Sequence, residues 1–215
     1  MTVYPINLNL HGRQCLVLGG GLVAERKVHA LLAAGARVMV CSPKLTDGLA
    51  GLAAEEKIDH DAAGYRPGAI GNFFIVICAT DDSSVNRQAA EEARGQGALL
   101  NVVDAPELCD FTVPAQVARG ELLLTVSTGG KSPALARRLR EELELHYGPE
   151  YGLYLELLAR LRDAAKERPG TGSAARQAFW RTALDHDILA LLKAGKIEEA
   201  EEKIKNAASC IGVES

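Results

Sequence analysis

The first half of the sequence predicts an α/β fold built on a doubly wound parallel sheet, and three observations carry that prediction. Short runs that are apolar at every position recur between residues 14 and 103. Segments with helical spacing separate several of them. A glycine cluster follows the first run directly and opens the first helical segment. Strands apolar on both faces belong to a parallel sheet covered by helices on both sides.

Each element has its own local reason. Gln14–Leu18 is a short apolar run and reads as the first strand. From Val23 to Ala34 the spacing is helical, with Val23, Lys27, Ala30, Leu31 and Ala34 three and four apart, and Gly35 stands where a helix-ending glycine belongs. Ala36–Cys41 is the next strand, and Asn72–Ala79 is a longer one. Asp81 and Asp82 offer N-caps for a helix through about Arg94, and Ala98–Val103 follows as a strand. After Asp104 the rhythm changes. Phe111–Pro114 and Glu121–Ser127 read as strands without a long helix between them. Ser132 as N-cap and Pro133 at the first helical position open a helix to about Tyr147, which Gly148-Pro149 breaks. Leu153 to Asn206 reads as a small helical bundle or cap, with a break at Arg168–Ser173. The expected organisation is therefore a nucleotide-binding domain at 1–112, a mixed segment at 113–147 and a C-terminal helical domain at 148–215.

Composition excludes several classes. The chain has 215 residues, 47% apolar and 24% charged, which rules out disordered, collagen-like and coiled-coil chains. No run approaches the ~18 apolar residues of a membrane span. The opening Met1-Thr2-Val3-Tyr4-Pro5 has no basic and no apolar region of a secretory signal. A net charge of −4 argues against a nucleic-acid partner. Cys15, Cys41, Cys78, Cys109 and Cys210 form no C-x-x-C pair; the first three, in or at the ends of strands, read as small buried hydrophobes in a reducing cytoplasm. His11, His29, His60, His146 and His186 lack metal-site spacing, so no preformed metal site is expected; His146 reads as a cation at a helix end.

The glycine cluster carries the first functional signal. Gly19, Gly21 and Ala24 occupy the three small positions of G-x-G-x-x-A between a strand and a helix. The first glycine permits the tight turn, the second lets the backbone approach a pyrophosphate, and the third small residue lets helix and strand pack closely. The helix N-terminus adds N–H groups for phosphate. This makes the domain Rossmann-type, with cofactor contacts expected at Gly19, Gly21, Leu22, Val23, Ala24, Ser42, Pro43, Lys44 and Thr80. The acidic residue that would hold an adenosine ribose is missing after the second strand. There Ser42 could bond a ribose hydroxyl and Lys44 could tolerate a 2′-phosphate, so the residues alone leave NAD and NADP both open.

Four blocks go beyond a generic dinucleotide domain: Gly19–Lys27, Ala79-Thr80-Asp81-Asp82, Asn101–Pro106 and Ser127–Ala136. In this order they resemble the precorrin-2 dehydrogenase / sirohydrochlorin ferrochelatase family, the dehydrogenase part of sirohaem synthases. The resemblance covers about residues 3–145 and weakens beyond 150. It implies oxidation of precorrin-2 to sirohydrochlorin with NAD as hydride acceptor. In some members it also implies insertion of Fe²⁺, and it implies a homodimer interlocked through the segment after the Rossmann domain. The methyltransferase module fused in some sirohaem synthases does not fit in so short a chain.

Asp104, just past a central strand, matches the family's proposed general base; without the resemblance it reads as a loop or cap aspartate. Asn101 either orients Asp104 or the substrate, or is an ordinary strand residue. The substrate's eight carboxylates need local cations, for which Arg119, Lys131, Arg137, Arg138 and Arg140 are candidates. Thr128-Gly129-Gly130-Lys131-Ser132, before a helix N-terminus, is a candidate carboxylate cradle, and the substrate contacts are expected at Asn101, Arg119, Thr128, Gly129, Lys131 and Arg137. Two other readings compete. One is a different NAD(P)-dependent oxidoreductase, but none of the five tyrosines has the Tyr-x-x-x-Lys spacing of short-chain dehydrogenases. The other is a non-catalytic NAD(P)-sensing domain, which would need neither Asp104 nor a cationic pocket. The turn itself is directly testable: Gly21→Asp should abolish NAD binding by calorimetry in a protein that still folds, because the side chain fills the pyrophosphate space and adds like charge.

Overall fold

The computed structural model describes residues 3–166 and 186–209. The chain divides into two compact units, residues 4–113 and residues 114 onward. In the first unit, β1 (Gln14–Leu18), β2 (Arg37–Cys41), β3 (Asp59–Asp61), β4 (Ile75–Cys78) and β5 (Leu99–Val102) form one sheet in the order β3-β2-β1-β4-β5. All neighbours are parallel, with Leu18 opposite Cys41 on one side and Cys78 on the other. Strand order reverses between β1 and β4, the place where open α/β sheets bind ligands.

Strand periodicity explains the two cores. Cys15 and Val17 point to one face with Val38, Val40, Ile75 and Ile77, and are covered by Val28 and Leu31 of α1 (Leu22–Ala33) and Leu49 of α2 (Asp47–Ala54). Leu16 and Leu18 point to the other face with Val76, Cys78, Leu100 and Val102. There α3 (Ser83–Gly95) covers them through Ala89, Ala90 and Ala93, whose small side chains let the helix lie close to the sheet. Cys15, Cys41 and Cys78 are buried as expected. Burial pushes the Cys15 thiol up to about 11 and the Cys78 thiol up to about 12, so both stay protonated and inert at neutral pH.

Helix ends follow the local chemistry. Gly35, at φ +77°, follows the Ala34 C-cap of α1, and Asp82 caps α3 by accepting from the backbone N–H of Ser84 (2.8 Å) and Val85 (3.2 Å). Three details differ from the sequence reading. The strand expected over Asn72–Ala79 is confined to Ile75–Cys78, because its pairing with β1 begins at Cys15 opposite Ile75. Neither α2 nor β3 is among the elements read from the sequence: α2 is a short Gly/Ala-rich helix that packs through Leu49 and Leu52, and β3 is the polar edge strand Asp59-His60-Asp61, which has no apolar period. Phe111–Pro114 is not a strand. The chain folds back there beside β5, where Asp110 N–H donates to Leu100 O (2.9 Å) and Asp110 Oδ2 accepts from Leu100 N–H (3.0 Å). Asp110 thereby satisfies both backbone groups of Leu100 on the open edge of the sheet.

In the second unit, β6 (Ala115–Arg119) and β7 (Leu122–Val126) form an antiparallel hairpin. It is followed by α4 (Pro133–His146), with Ser132 Oγ accepting from Leu135 N–H, and by α5 (Glu150–Lys166). Two further helices, His186–Lys193 and Ile197–Ser209, pack with α5 around Tyr154, Leu157, Ile188, Leu192, Ala200 and Ile204. The break expected at Arg168–Ser173 lies outside the described residues. Arg119 ties the hairpin to the end of α4: Nε donates to Tyr147 O (2.8 Å), Nη2 to Glu144 O (3.3 Å) and Nη1 to Ala118 O (3.0 Å). A charged fork on carbonyls at a helix C-terminus is a stabilising cap. Arg119→Ala should therefore lower stability by ~1–2 kcal/mol in denaturant unfolding, and Arg119→Lys should restore only part of it, because an ammonium cannot span three acceptors.

Candidate active site on the carboxyl edge of the sheet

The turn after β1 is held by close backbone approaches. Gly19 sits at φ +115° with its N–H on Cys41 O (3.0 Å), and a Cβ there would overlap Ala79 O of the neighbouring strand end. Gly20 lies directly against Lys44 O, leaving no room for a Cβ. Gly21 is different. Its φ of −85° is open to any residue, and nothing lies within 4 Å of where a Cβ would stand. Two glycines are thus required by the protein itself, whereas the third keeps space free in front of the turn. Gly21 is also the N-cap of α1 and supplies no side-chain cap, so the first-turn N–H groups of Leu22, Val23 and Ala24 have no intrahelical partner. Ala24 is fully buried against the sheet, while Leu22 is 79% exposed beside the turn. Uncapped donors, the positive helix end and free space above Gly21 fit a bound pyrophosphate, so the glycine-turn residues would hold a dinucleotide there.

The expected contacts after β2 are arranged differently from the sequence reading. Ser42 is buried at 7% exposure, and its hydroxyl donates to Lys44 O (2.7 Å). That hydroxyl organises the loop instead of reaching a ribose as a donor. Its carbonyl contacts His60 Nε2 at 2.9 Å. Pro43 and Lys44 are exposed on this edge. After β4, Thr80 Oγ1 donates to Asn86 Oδ1 (2.8 Å) and Asn86 Nδ2 donates back to Thr80 O (2.9 Å), fixing the loop to α3.

Asp104 follows β5 on the same edge. Its φ is +61°, the left-handed conformation that aspartate and asparagine tolerate better than other side chains. Val103 N–H to Cys78 O (2.9 Å) and Ala105 N–H to Val102 O (3.3 Å) hold the turn. Cys109 Sγ lies in its concave side, 3.2 Å from both Val102 N and Val102 O and 3.4 Å from Ala105 O. Asp104 is exposed and caps nothing: the following 3₁₀ turn has Ala105 as its N-cap. Asn101 does not orient it. Asn101 Nδ2 donates to Phe111 O (2.9 Å), so this buried side chain anchors the returning chain to β5. Glycine turn, Ser42–Lys44, Thr80 and Asp104 all stand at the carboxyl ends of β1, β2, β4 and β5.

The remaining expected residues belong to the second unit. Around Thr128–Ser132 most N–H groups are turned inward: Gly129 N donates to Ser127 Oγ (3.3 Å), Lys131 N to Thr128 O (3.1 Å) and Ser132 N to Thr128 Oγ1 (3.2 Å). Gly129 and Gly130 take φ of +60° and +79° to make this possible. The loop is therefore largely a self-bonded turn. Arg137 pairs with Glu141, Arg138 with Glu142 and Arg140 with Glu144 along α4. The Arg137 and Arg138 side chains are each 78% exposed, so these pairs are weak and exchangeable. Lys131 is exposed. Arg119 is committed to the α4 cap described above. His146 ends α4 and makes an edge contact with Tyr147.

Several residues that shape the site went unassigned in the sequence: Gly20, Glu25, Thr46, Asn86 and Cys109. A signal was present for some of them. Thr46 before Asp47 is an ordinary N-cap pattern, and Glu25 lies inside the Gly19–Lys27 block. Gly20 lies in the same block, but its steric constraint comes from Lys44, a residue of another loop.

Comparison with known proteins agrees with this geometry. Residues 6–115 match the family described as "Putative NAD(P)-binding". Residues 119–146 match the sirohaem biosynthesis protein central region, and residues 150–207 match the sirohaem synthase dimerisation region, so the likeness runs well past residue 145. The sirohaem synthase of Nitrosococcus oceani is 44% identical over 207 residues, 96% of this chain and 44% of that protein. That of Methylobacillus flagellatus is 42% identical over 209 residues, 97% of this chain and 44% of that protein. The chain thus spans less than half the length of these curated relatives. A solved structure of SirC, a precorrin-2 dehydrogenase, superposes with a TM-score of 0.78 at 26% identity, covering 95% of this chain and 100% of that one. The chain belongs to the NAD(P)-binding family of the sirohaem synthases and precorrin-2 dehydrogenases, and carries that family's nucleotide-binding, central and dimerisation regions in order.

Proposed function

We propose that this protein oxidises precorrin-2 to sirohydrochlorin with NAD as hydride acceptor, and that Asp104 is the base. One observation carries the reading: an uncapped dinucleotide turn after β1 and an exposed aspartate after β5 stand on the same edge of one parallel sheet. Only β4 lies between the two strands, which at ordinary strand spacing puts their ends about 10 Å apart. That is within the span of a bound dinucleotide and its substrate. The likeness to SirC, described as a precorrin-2 dehydrogenase, supports the substrate class.

Bound NAD supplies the hydride acceptor. The chain's own residues do the rest. The Gly19–Gly21 turn and the first-turn N–H groups of α1 hold the diphosphate, and Gly20 and Thr80 keep the neighbouring loops in place. Losing a hydride leaves the reduced macrocycle with a positive charge, and loss of a proton from an adjacent carbon completes the double bond. The Asp104 carboxylate takes that proton. The left-handed turn presents the carboxylate beyond the strand end. Lys131 and the exchangeable Arg137 and Arg138 are the cations suited to the substrate's carboxylates. A homodimer is part of this proposal. It is supported by the dimerisation-region match and by exposed Leu123, Leu135, Leu139 and Leu145 in the second unit, the last at 89% exposure. Fe²⁺, as a second substrate, would displace two pyrrole protons, and the same carboxylate is placed to accept them.

Asp104→Asn is the decisive variant. Asparagine tolerates φ near +61°, whereas alanine adds ~1 kcal/mol of backbone strain that would confuse an activity loss with a folding loss. In Asp104→Asn, the rate of sirohydrochlorin formation followed by absorbance should fall ~10²–10⁴-fold with NAD affinity nearly unchanged. Metal insertion, assayed with Co²⁺ or Fe²⁺, should fall with it. Wild-type dehydrogenation in a folded Asp104→Asn protein would leave Asp104 without a catalytic role. Loss of dehydrogenation with retained metal insertion would mean that the two reactions use different bases.

A further inference from the structure

We infer that Glu25 and Thr46 form a latch that holds the loop after β2 against the glycine turn, making Glu25 a positioning residue for the adenosine half of the dinucleotide. The inference rests on reading the Gly19–Gly21 turn as the dinucleotide site.

Four contacts converge on this loop. Thr46 Oγ1 donates to Glu25 Oε2 at 2.5 Å, joining the start of α2 to the first turn of α1. Thr46 N–H donates to Gly20 O at 2.9 Å, and Lys44 O lies directly against Gly20. Ser42 Oγ donates to the same Lys44 O. Gly48 completes the arrangement, because a Cβ there would overlap the Glu25 carboxylate. Thr46 Oγ1 also accepts from Leu49 N–H at 3.3 Å, so one hydroxyl caps α2 and closes the latch. The loop from Ser42 to Gly48 is therefore docked on the glycine turn by the protein's own contacts.

The position of the latch gives it a purpose beyond stability. In a doubly wound sheet the loop after β2 borders the adenosine ribose, and the turn after β1 borders the diphosphate. Here the usual acidic ribose residue is missing and the Ser42 hydroxyl is directed inward. The pocket then depends on the fixed shape of the 42–48 backbone. A loop already ordered loses no conformational freedom when the ligand binds, and that advantage appears as affinity. Glu25 does this without contacting the ligand: its carboxylate accepts from Thr46, and Thr46 holds the backbone.

Calorimetry of NAD and of ADP-ribose against Glu25→Ala, Glu25→Gln, Thr46→Val and Thr46→Ser tests the latch, well below each variant's unfolding temperature. Glu25→Ala and Thr46→Val should weaken both ligands by about tenfold, and the double variant should be no worse than the weaker single one. Glu25→Gln and Thr46→Ser retain an acceptor and a donor, and should bind as wild type. Nicotinamide mononucleotide, which lacks the adenosine half, should bind all variants equally. Wild-type affinity in Glu25→Ala would overturn the proposal. So would equal losses in Glu25→Gln and Glu25→Ala, because the glutamine keeps the acceptor that Thr46 needs and the latch would then not account for the affinity. The underlying reading fails separately: if Gly21→Asp keeps wild-type affinity the turn is not the site, whereas loss in Gly21→Asp with unaffected Glu25→Ala removes only the latch.

Discussion

The close approach of three chain segments around Gly19 and Gly20 is the constraint on which the nucleotide-binding unit depends. The end of β4 presses on Gly19 through Ala79 O, and the loop after β2 presses on Gly20 through Lys44 O. Neither position has room for a side chain. The carboxyl ends of β1, β2 and β4 are thereby drawn into one edge. A cofactor turn whose neighbours were free to move would have to order them on binding, and that cost would lower affinity. Gly21, by contrast, has no steric demand of its own in the protein. Its missing side chain leaves open the space in front of the turn, which the proposed dinucleotide site would use.

The same edge continues to β5 by a different device. β5 is the last strand, and on its outer side both backbone groups of Leu100 are satisfied by the backbone and carboxylate of Asp110. Asn101 and Cys109 bind this returning segment to the strand, and Cys109 fills the turn that carries Asp104. Asp104 is consequently exposed, free of capping work and held by a turn fixed from behind. The base role proposed for Asp104 would need this combination: an exposed carboxylate on a backbone that does not wander. The residues behind it are a buried amide and a thiol, neither of which reads as functional from its type alone.

The proposed binding of a polycarboxylate would draw on exposed charge in the second unit. A protein of net charge −4 can bind a polycarboxylate only where cations are local and available. Arg137 and Arg138 of α4 are paired with glutamates one turn along the same helix, in water, where such pairs contribute little. An incoming carboxylate can replace the glutamate at small cost. Arg119 is the exception, since its guanidinium bonds three backbone carbonyls and holds the hairpin to α4.

The sequence by itself determined β1, β2, β4 and β5 of the central sheet, the helices α1, α3 and α4 with their caps, the glycine turn, the burial of Cys15, Cys41 and Cys78, and the family. Each follows from information local to a few residues: a continuous apolar run, a residue suited to a cap, or a motif with fixed spacing. The tertiary structure alone decided what depends on residues far apart in the chain. Polar β3 pairs at an edge and so shows no apolar period. Phe111–Pro114 looks like a strand but is drawn back along β5 by Asn101 and Asp110. Ser42 and Asn101 look like ligand contacts, yet the Ser42 hydroxyl donates to Lys44 O and the Asn101 amide N–H to Phe111 O. A side chain's residue type fixes what it can bond, but its partner is set by which segments the fold brings within 3 Å, and no local pattern records that distance.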